Sequence, residues 1–346
     1  MSATDPFLGH KIEKAVSGSI LRGKILRQVS RSFYLSIFIL PRKLRDPVSL
    51  GYLLARASDT IADTTQIPIE LRIEKLRLLA RGIQGEALGD AIVDLSASIS
   101  PLQKNPSERA LIESLQSCLD WLDRSEVLDR EGIRAVLEQI NRGQILDLER
   151  FPDPKQIIAL ETAAELDEYT YLVAGSAGEF WTRLCFRHLR KFSPRGETDM
   201  LKLGKRYGMG LQLINILRDA GADLRAGRCY FPNDELAAAA MEPSQILREP
   251  DRFQSIYRRW LDKAEQGIKS GVEYARAIRN TRVRIATALP ALIGARTIAL
   301  LRNAGATTLR RHVKVSRKEV RAIVSSLALS LGSRSRINAL YRDLSR

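Results

Sequence analysis

Apolar residues recur along most of the chain at spacings of three and four, the mark of helices that bury one face. Within 11–29, Ile12, Val16, Ile20, Ile25 and Val29 keep this period with Lys and Arg between them, which predicts a basic amphipathic helix. After Ser30-Arg31-Ser32 comes the run FYLSIFIL, which ends at Pro41. Further helices are expected over 66–85, 106–124, 130–148, 155–190, 252–280 and 282–303, the last kinked at Pro290. No convincing period-two strand pattern interrupts the first half of the chain. The expected fold class is all-α: one helical domain over 1–346 around a central cavity, closing with a basic segment over 304–346.

Two stretches break the ordinary amphipathic rule. From Tyr207 to Pro232 the chain reads YGMGLQLINILRDAGADLRAGRCYFP, which sets Gln212, Asn215, Asp219 and Asp223 along one helical line. Leu211, Leu213, Ile214, Ile216 and Leu217 flank that line, so two carboxylates and two amides sit on a helix that is otherwise buried. Such carboxylates are costly unless something positive meets them. Hard oxygen ligands on a rigid rod suit Mg²⁺ carrying a phosphorylated substrate better than zinc.

A lone DxxxD reads first as a solvated surface, but a second copy follows Pro47. There VSLGYLLARASDTIADT sets Tyr52, Arg56, Asp59 and Asp63 on one side at spacings of four, three and four. An Arg one turn before the first Asp fits a face where carboxylates hold metal and a guanidinium grips phosphate. The two acidic helices are expected to face each other across the cavity, binding Mg²⁺–diphosphate at its mouth and a hydrocarbon below. Ser30 and Ser32 are open to two readings: helix N-caps, or, with Arg31, an anion site at a helix start. Small residues from Ala174 to Gly178, after Tyr169 and Tyr171, point to close helix packing or to room for a ligand.

Composition narrows the partners. A formal charge of +15 and a pI near 10 imply attraction to something anionic: nucleic acid, phospholipid or diphosphate. Aromatic content is 6% and no nucleic-acid motif is present, so the nucleic-acid reading rests on charge alone and is set aside. Cys118, Cys185 and Cys229 form no CxxC pattern, and the first residues lack a secretory pattern. A cytoplasmic protein without a membrane span is expected; the run Ile285–Leu301, interrupted by Pro290 and Arg296, falls short of one. His10, His188 and His312 lie near no nucleophile pattern, and no Walker A loop, dinucleotide fingerprint or GxSxG occurs.

SRSFY at 30–34, YLLARASDTIAD at 52–63, YTYLVAG at 169–175 and QLINILRDAGADLRAGRCYFP at 212–232 resemble, in order and spacing, the four motif regions of the squalene/phytoene synthase family. VKVSRKEV at 313–320 extends the match. The resemblance implies an isoprenoid-synthase-type helical bundle that condenses two prenyl diphosphates head to head through a cyclopropyl diphosphate. It also implies Mg²⁺ held by Asp59, Asp63, Asn215, Asp219 and Asp223. Diphosphate would be bound by Arg56, Arg218 and Arg228 with Ser30, Arg31 and Ser32. Tyr169 would stand near the cation, and Phe33, Tyr52 and Gln212 would line the pocket.

Thr60 makes the first motif DTIAD, similar to squalene synthases rather than to the DDxxD or DExxD of phytoene and dehydrosqualene synthases. That implies two farnesyl diphosphates joined through presqualene diphosphate and reduced by NADPH to squalene, with Lys314 and Arg317 at the NADPH phosphate. VKVSRK is one residue longer than the eukaryotic form, and a C-terminal anchor helix is not expected. The basic 11–29 helix is open to two readings, peripheral contact with anionic lipid or a merely solubilising basic surface. Products without reduction, presqualene diphosphate itself, and a non-catalytic scaffold of the same fold remain the alternatives.

Overall fold

The period-3.6 pattern is realised along most of the described residues. The computed structural model describes residues 21–30 and 33–346, so most of the expected 11–29 helix, together with Arg31 and Ser32, lies outside the described residues. Two compact units are present, one ending at Ile145 and one running from Leu146 to Arg346.

In the first unit a π turn, Leu21–Ile25, runs into α1 (Leu26–Ser30), followed by α2 (Phe33–Phe38) and α3 (Arg42–Ala62). Then come α4 (Ile69–Gln84), α5 (Asp90–Ile99), α6 (Pro106–Glu113), α7 (Leu115–Asp123) and α8 (Val127–Arg150), whose last turn belongs to the second unit. The N-cap reading of Ser30 does not hold: it closes α1, buried, with its hydroxyl donated back to the Leu26 carbonyl. The single helix expected over 106–124 is two helices. Asn105 caps α6 through the Ser107 N–H, Pro106 takes the first helical position, and the chain breaks at Ser114. α3 carries Leu50, Leu53, Leu54, Ala57 and Ile61 into the core with no exposure, which leaves Tyr52, Arg56 and Asp59 on its opposite, partly open face.

In the second unit the helix expected from 155 begins only at 163. Before it, β1 (Ile158–Ala159) pairs in parallel with β2 (Arg228–Cys229), Ile158 opposite Arg228. Then follow α9 (Ala163–Thr170), a π turn over Tyr171–Gly175, α10 (Ser176–His188) and the 29-residue α11 (Glu197–Arg225). The chain ends with α12 (Asn233–Ala238), α13 (Gln254–Ala277), α14 (Thr281–Ala304), a 3₁₀ turn over Gly305–Leu309, α15 (Arg317–Leu329) and α16 (Arg334–Leu344).

α11 is the axis of this unit, packed on α10, α13 and α14. The small residues after Tyr171 serve close approach: a Cβ on Gly178 would overlap the Gly204 carbonyl of α11. Thr281–Leu309 is long and apolar enough to cross a membrane, contrary to the expectation from its interruptions, yet 67% of its apolar window is buried. Ala288, Ala291, Leu292 and Leu301 are fully inside, so it packs as a core helix.

Gly178→Ala should therefore lower stability by about 1–3 kcal/mol, the usual cost of overpacking. Gly196→Ala, where a Cβ meets nothing within 4 Å, should be near neutral. Thermal melting of the two variants checks this; equal melting points would show that the α10–α11 approach is not steric.

Candidate active site

α3 presents its polar residues one turn apart. Asp63 lies just past the last helical residue as the C-cap, where its N–H donates to the Asp59 carbonyl at 2.9 Å. The Asp59 carboxylate accepts from Gln144 Nε2 of α8 at 2.5 Å and lies 3.8 Å from Arg56 Nη1. Arg56 in turn donates from Nη2 to Glu108 Oε1 at 2.5 Å. The Asp59 side chain stays 38% accessible, yet the surrounding protein strips water from its carboxyl. Burial pushes it up to about 7, with Arg56 opposing and Asp63 adding to the rise. Tyr52 donates to the Val29 carbonyl at 3.2 Å and so ties α3 to α1. Thr60 is buried, its hydroxyl donated to the Arg56 carbonyl at 2.9 Å, so it faces the core and not the acidic face.

In the second unit α11 delivers the other acidic line. Arg218 closes on Asp219 with two bonds, Nε to Oδ1 at 3.0 Å and Nη2 to Oδ2 at 2.5 Å. Beyond the helix, Gly227 takes φ +83°, a turn that suits glycine, and sends Arg228 back to Asp223 Oδ1 at 2.6 Å. Burial alone would lower the Arg228 pKa, but Tyr230, Asp223 and Asp147 hold it protonated, while its Nε is buried without a hydrogen bond among the described residues. Asn215 donates to Gln212 Oε1 at 3.3 Å, completing the line.

Aromatic rings stand beside these charges. Tyr169 stacks on Tyr230 with centroids 5.2 Å apart, and Phe151 meets the same ring edge-on at 5.2 Å. Tyr230 donates to Asp147 Oδ1 at 2.6 Å. Burial first, then the negative charge of Asp147 with Tyr169 and Asp223, pushes the Tyr230 phenol well above its ordinary range, so it stays neutral.

A third strand of the site arrives from the C-terminal side. A Cβ on Gly221 would overlap the Leu309 carbonyl, and Arg225 Nη1 donates to that same oxygen at 3.0 Å. This contact lays the 310–316 segment beside α11, with His312 Nδ1 3.5 Å from Asp219 Oδ1. Lys314 is exposed in the same segment, and Arg317 opens α15 behind a capping box of Ser316 and Glu319. The Ser316 N–H, then Arg296 Nε and the Ser316 hydroxyl, hold the Glu319 carboxyl down to about 2.

Asp59, Asp63, Arg56 and Tyr52 thus share the first unit, and Gln212, Asn215, Arg218, Asp219, Asp223, Arg228 and Tyr169 the second. Of SRSFY, Ser30 is buried, Arg31 and Ser32 lie outside the described residues, and the backbone of Phe33 opens α2. The structure adds Glu108, Gln144, Asp147, Tyr230 and His312. Tyr230 lies inside the quoted motif, yet only its ring contacts mark it; Gln144 and Asp147 are polar positions in a helix read for its apolar face.

A family model described as squalene/phytoene synthase matches residues 26–319. The chain belongs to that family. Among curated relatives of this squalene/phytoene synthase family member, the bifunctional lycopene cyclase/phytoene synthase of Gibberella fujikuroi is 26% identical over 260 residues, covering 73% of this chain and 42% of that protein. The squalene synthase of Saccharomyces cerevisiae is 28% identical over 235 residues, covering 67% and 47%. The chain therefore spans less than half the length of either relative. Among solved structures, a ligand complex of TcSQS aligns with a TM-score of 0.72 at 22% identity, covering 95% of this chain and 98% of that one. A dehydrosqualene synthase in complex with ligand aligns at 0.61 and 23% identity, covering 94% and 99%. At these identities the likeness establishes the all-α fold of the family and nothing finer.

Tyr230→Phe keeps the ring stack but strips a buried hydrogen bond from Asp147. It should cost about 1–3 kcal/mol of stability, measured by denaturant unfolding; an unchanged midpoint would show that the Asp147 carboxylate loses nothing.

Proposed function

We propose that this protein is a prenyl transferase that joins two farnesyl diphosphates head to head through presqualene diphosphate, with Mg²⁺ as its metal and reduction by NADPH to squalene. The observation that carries the reading is the pairing of Asp219 with Arg218 and of Asp223 with Arg228. The donors offered by Asp59, Asp63, Asn215, Asp219 and Asp223 are all hard oxygens, a set that fits Mg²⁺. Asp59, Asp219 and Asp223 are each met by a cation or an amide of their own unit.

Exchange of those partners is the proposed working principle. Bound Mg²⁺ would neutralise charge that gathers on a departing diphosphate. Arg56, Arg218 and Arg228, released from their carboxylates, would turn their planar forks to phosphate oxygens. Tyr169 and Tyr230 would offer ring faces to the allylic cation, and their burial excludes the water that would quench it. The Tyr169 phenol would help steer proton loss during cyclopropane closure. For reduction, Lys314 and Arg317 follow His312 within five residues, so a nucleotide phosphate held there would lie in the segment that touches Asp219.

A non-reductive outcome, dehydrosqualene or phytoene, has one observation on its side. Thr60, the residue that favours squalene by resemblance, is back-bonded and buried, so it has no direct means of selecting the product. Incubation with farnesyl diphosphate and Mg²⁺, with and without NADPH, and mass identification of the lipids separates the two. Squalene formed only with NADPH supports the reductive reading; dehydrosqualene regardless of NADPH, or a C40 product from geranylgeranyl diphosphate alone, overturns it. In the same assay Asp219→Asn should lower turnover by about a hundredfold or more, the scale lost with an electrostatic stabiliser of developing charge. Unchanged turnover would sink the metal role.

The Asp59 carboxyl, raised to about 7, must lose its proton to ligate metal. Mg²⁺ affinity of the free protein should therefore fall about tenfold per pH unit below 7 and level off above it. Calorimetric titration across that range checks the slope, which Asp59→Asn should flatten.

A further inference from the structure

The second unit carries a groove of about 450 Å³ between α13 and α16, closed at one end by the loop before α11. Lys269, Glu273 and Arg276 line it from α13, Arg334 and Tyr341 from α16, and Arg195 from the loop. Four cations thus face one carboxylate. Arg195 pairs with Glu273 at 2.7 Å, and Lys269 with Glu265 at 2.9 Å, which leaves Arg276 and Arg334 without a carboxylate among the described residues.

Arg334 is nonetheless held in place. Its Nε donates to the Arg276 carbonyl at 2.7 Å and its Nη2 to the Ile278 carbonyl at 3.5 Å. Arg284 donates to the Ile278, Arg279 and Gly332 carbonyls beside it. Capping the end of α13 explains these two guanidiniums, because the last carbonyls of a helix attract cations. Carbonyls fix a guanidinium but do not cancel its charge. Burial first, and then the neighbouring charge of Arg334, lowers the Arg284 pKa. Capping also does not account for Arg276, whose side chain has no hydrogen-bond or ion-pair partner among the described residues, or for Arg195 closing on the same groove. The Tyr341 hydroxyl is shielded from solvent, with Glu265 and Ser345 as its hydrogen-bonding neighbours.

We propose that this groove is a binding site for a phosphate-bearing anion, distinct from the acidic line of α11. Arg195 precedes α11 while Asp219 lies near its end, about 33 Å away at 1.5 Å per residue. The volume suits a diphosphate or a phosphorylated headgroup. Arg276 and Arg334 would supply planar forks for its oxygens, Lys269 a point charge and Tyr341 a hydroxyl. Nothing in this site requires metal.

The test uses the full chain in EDTA, so that no metal can bind at the aspartates. Calorimetry with inorganic pyrophosphate, and sedimentation with phosphatidylglycerol against phosphatidylcholine vesicles, separate a soluble ligand from a lipid headgroup. Arg276→Gln, an exposed position near a helix end, should weaken binding at least about tenfold, the scale of one charge-assisted hydrogen bond. Lys104→Gln, which removes the same charge on an exposed site elsewhere, should leave it unchanged. Loss in Arg276→Gln alone, with either probe, supports the site and identifies the source. Equal losses in Arg276→Gln and Lys104→Gln, loss only in Arg228→Gln, or binding of neither probe would overturn it.

Discussion

The structure depends on how carboxylates are tolerated on helices that are otherwise packed. α11 buries Leu213, Ile214, Ile216, Leu217 and Leu224 while carrying Asp219 and Asp223 on the remaining face. An unmet carboxylate in such a setting costs several kcal/mol. Arg218, adjacent in sequence, and Arg228, returned by the turn at Gly227, meet those carboxylates within the same unit. α3 reaches a weaker solution, with one amide at hydrogen-bonding distance and one distant guanidinium, and burial raises the Asp59 carboxyl to about 7.

Packing sets where these charges stand. Because Gly178 meets Gly204 backbone to backbone, α10 and the π turn before it lie hard against α11. Tyr169 sits one residue before the end of α9, so the same approach carries its ring onto Tyr230. Gly221 does the corresponding work on the other side, where it admits the Leu309 carbonyl and with it the His312 segment. Two glycines on one helix therefore fix both neighbours of the acidic line, one aromatic and one basic.

Much of this was legible in the spacing of residues. The 29 residues of α11 keep Gln212, Asn215, Asp219 and Asp223 at helical period, and the bounds of α13 and α14 fall within about three residues of those read from apolar positions. The family membership followed from four ordered motifs. Local features that compete with period were harder to see: the break at Ser114, the β1–β2 pairing ahead of α9, the π turn at Tyr171, and the placement of Asp63 as a cap. Contacts between distant segments left no local trace at all. Nothing in the run QILDLER marks Asp147 as the acceptor for Tyr230, 83 residues on. Ser30 carried a double reading because a hydroxyl can serve either end of a helix, and only the backbone decides which.

Thr60 shows why a motif match and a physical role should be kept apart. Its position between two aspartates resembles a product-specific signature, yet its hydroxyl is committed to the Arg56 carbonyl and its surface to the core. A carboxylate there could not keep that hydrogen bond, since it has no proton to donate to a carbonyl. An acidic residue at this position would have to leave the core or find a cation inside it. The sequence difference at position 60 therefore constrains how the end of α3 packs before it constrains chemistry, and any effect on the product must pass through the placement of Asp59 and Asp63 on either side.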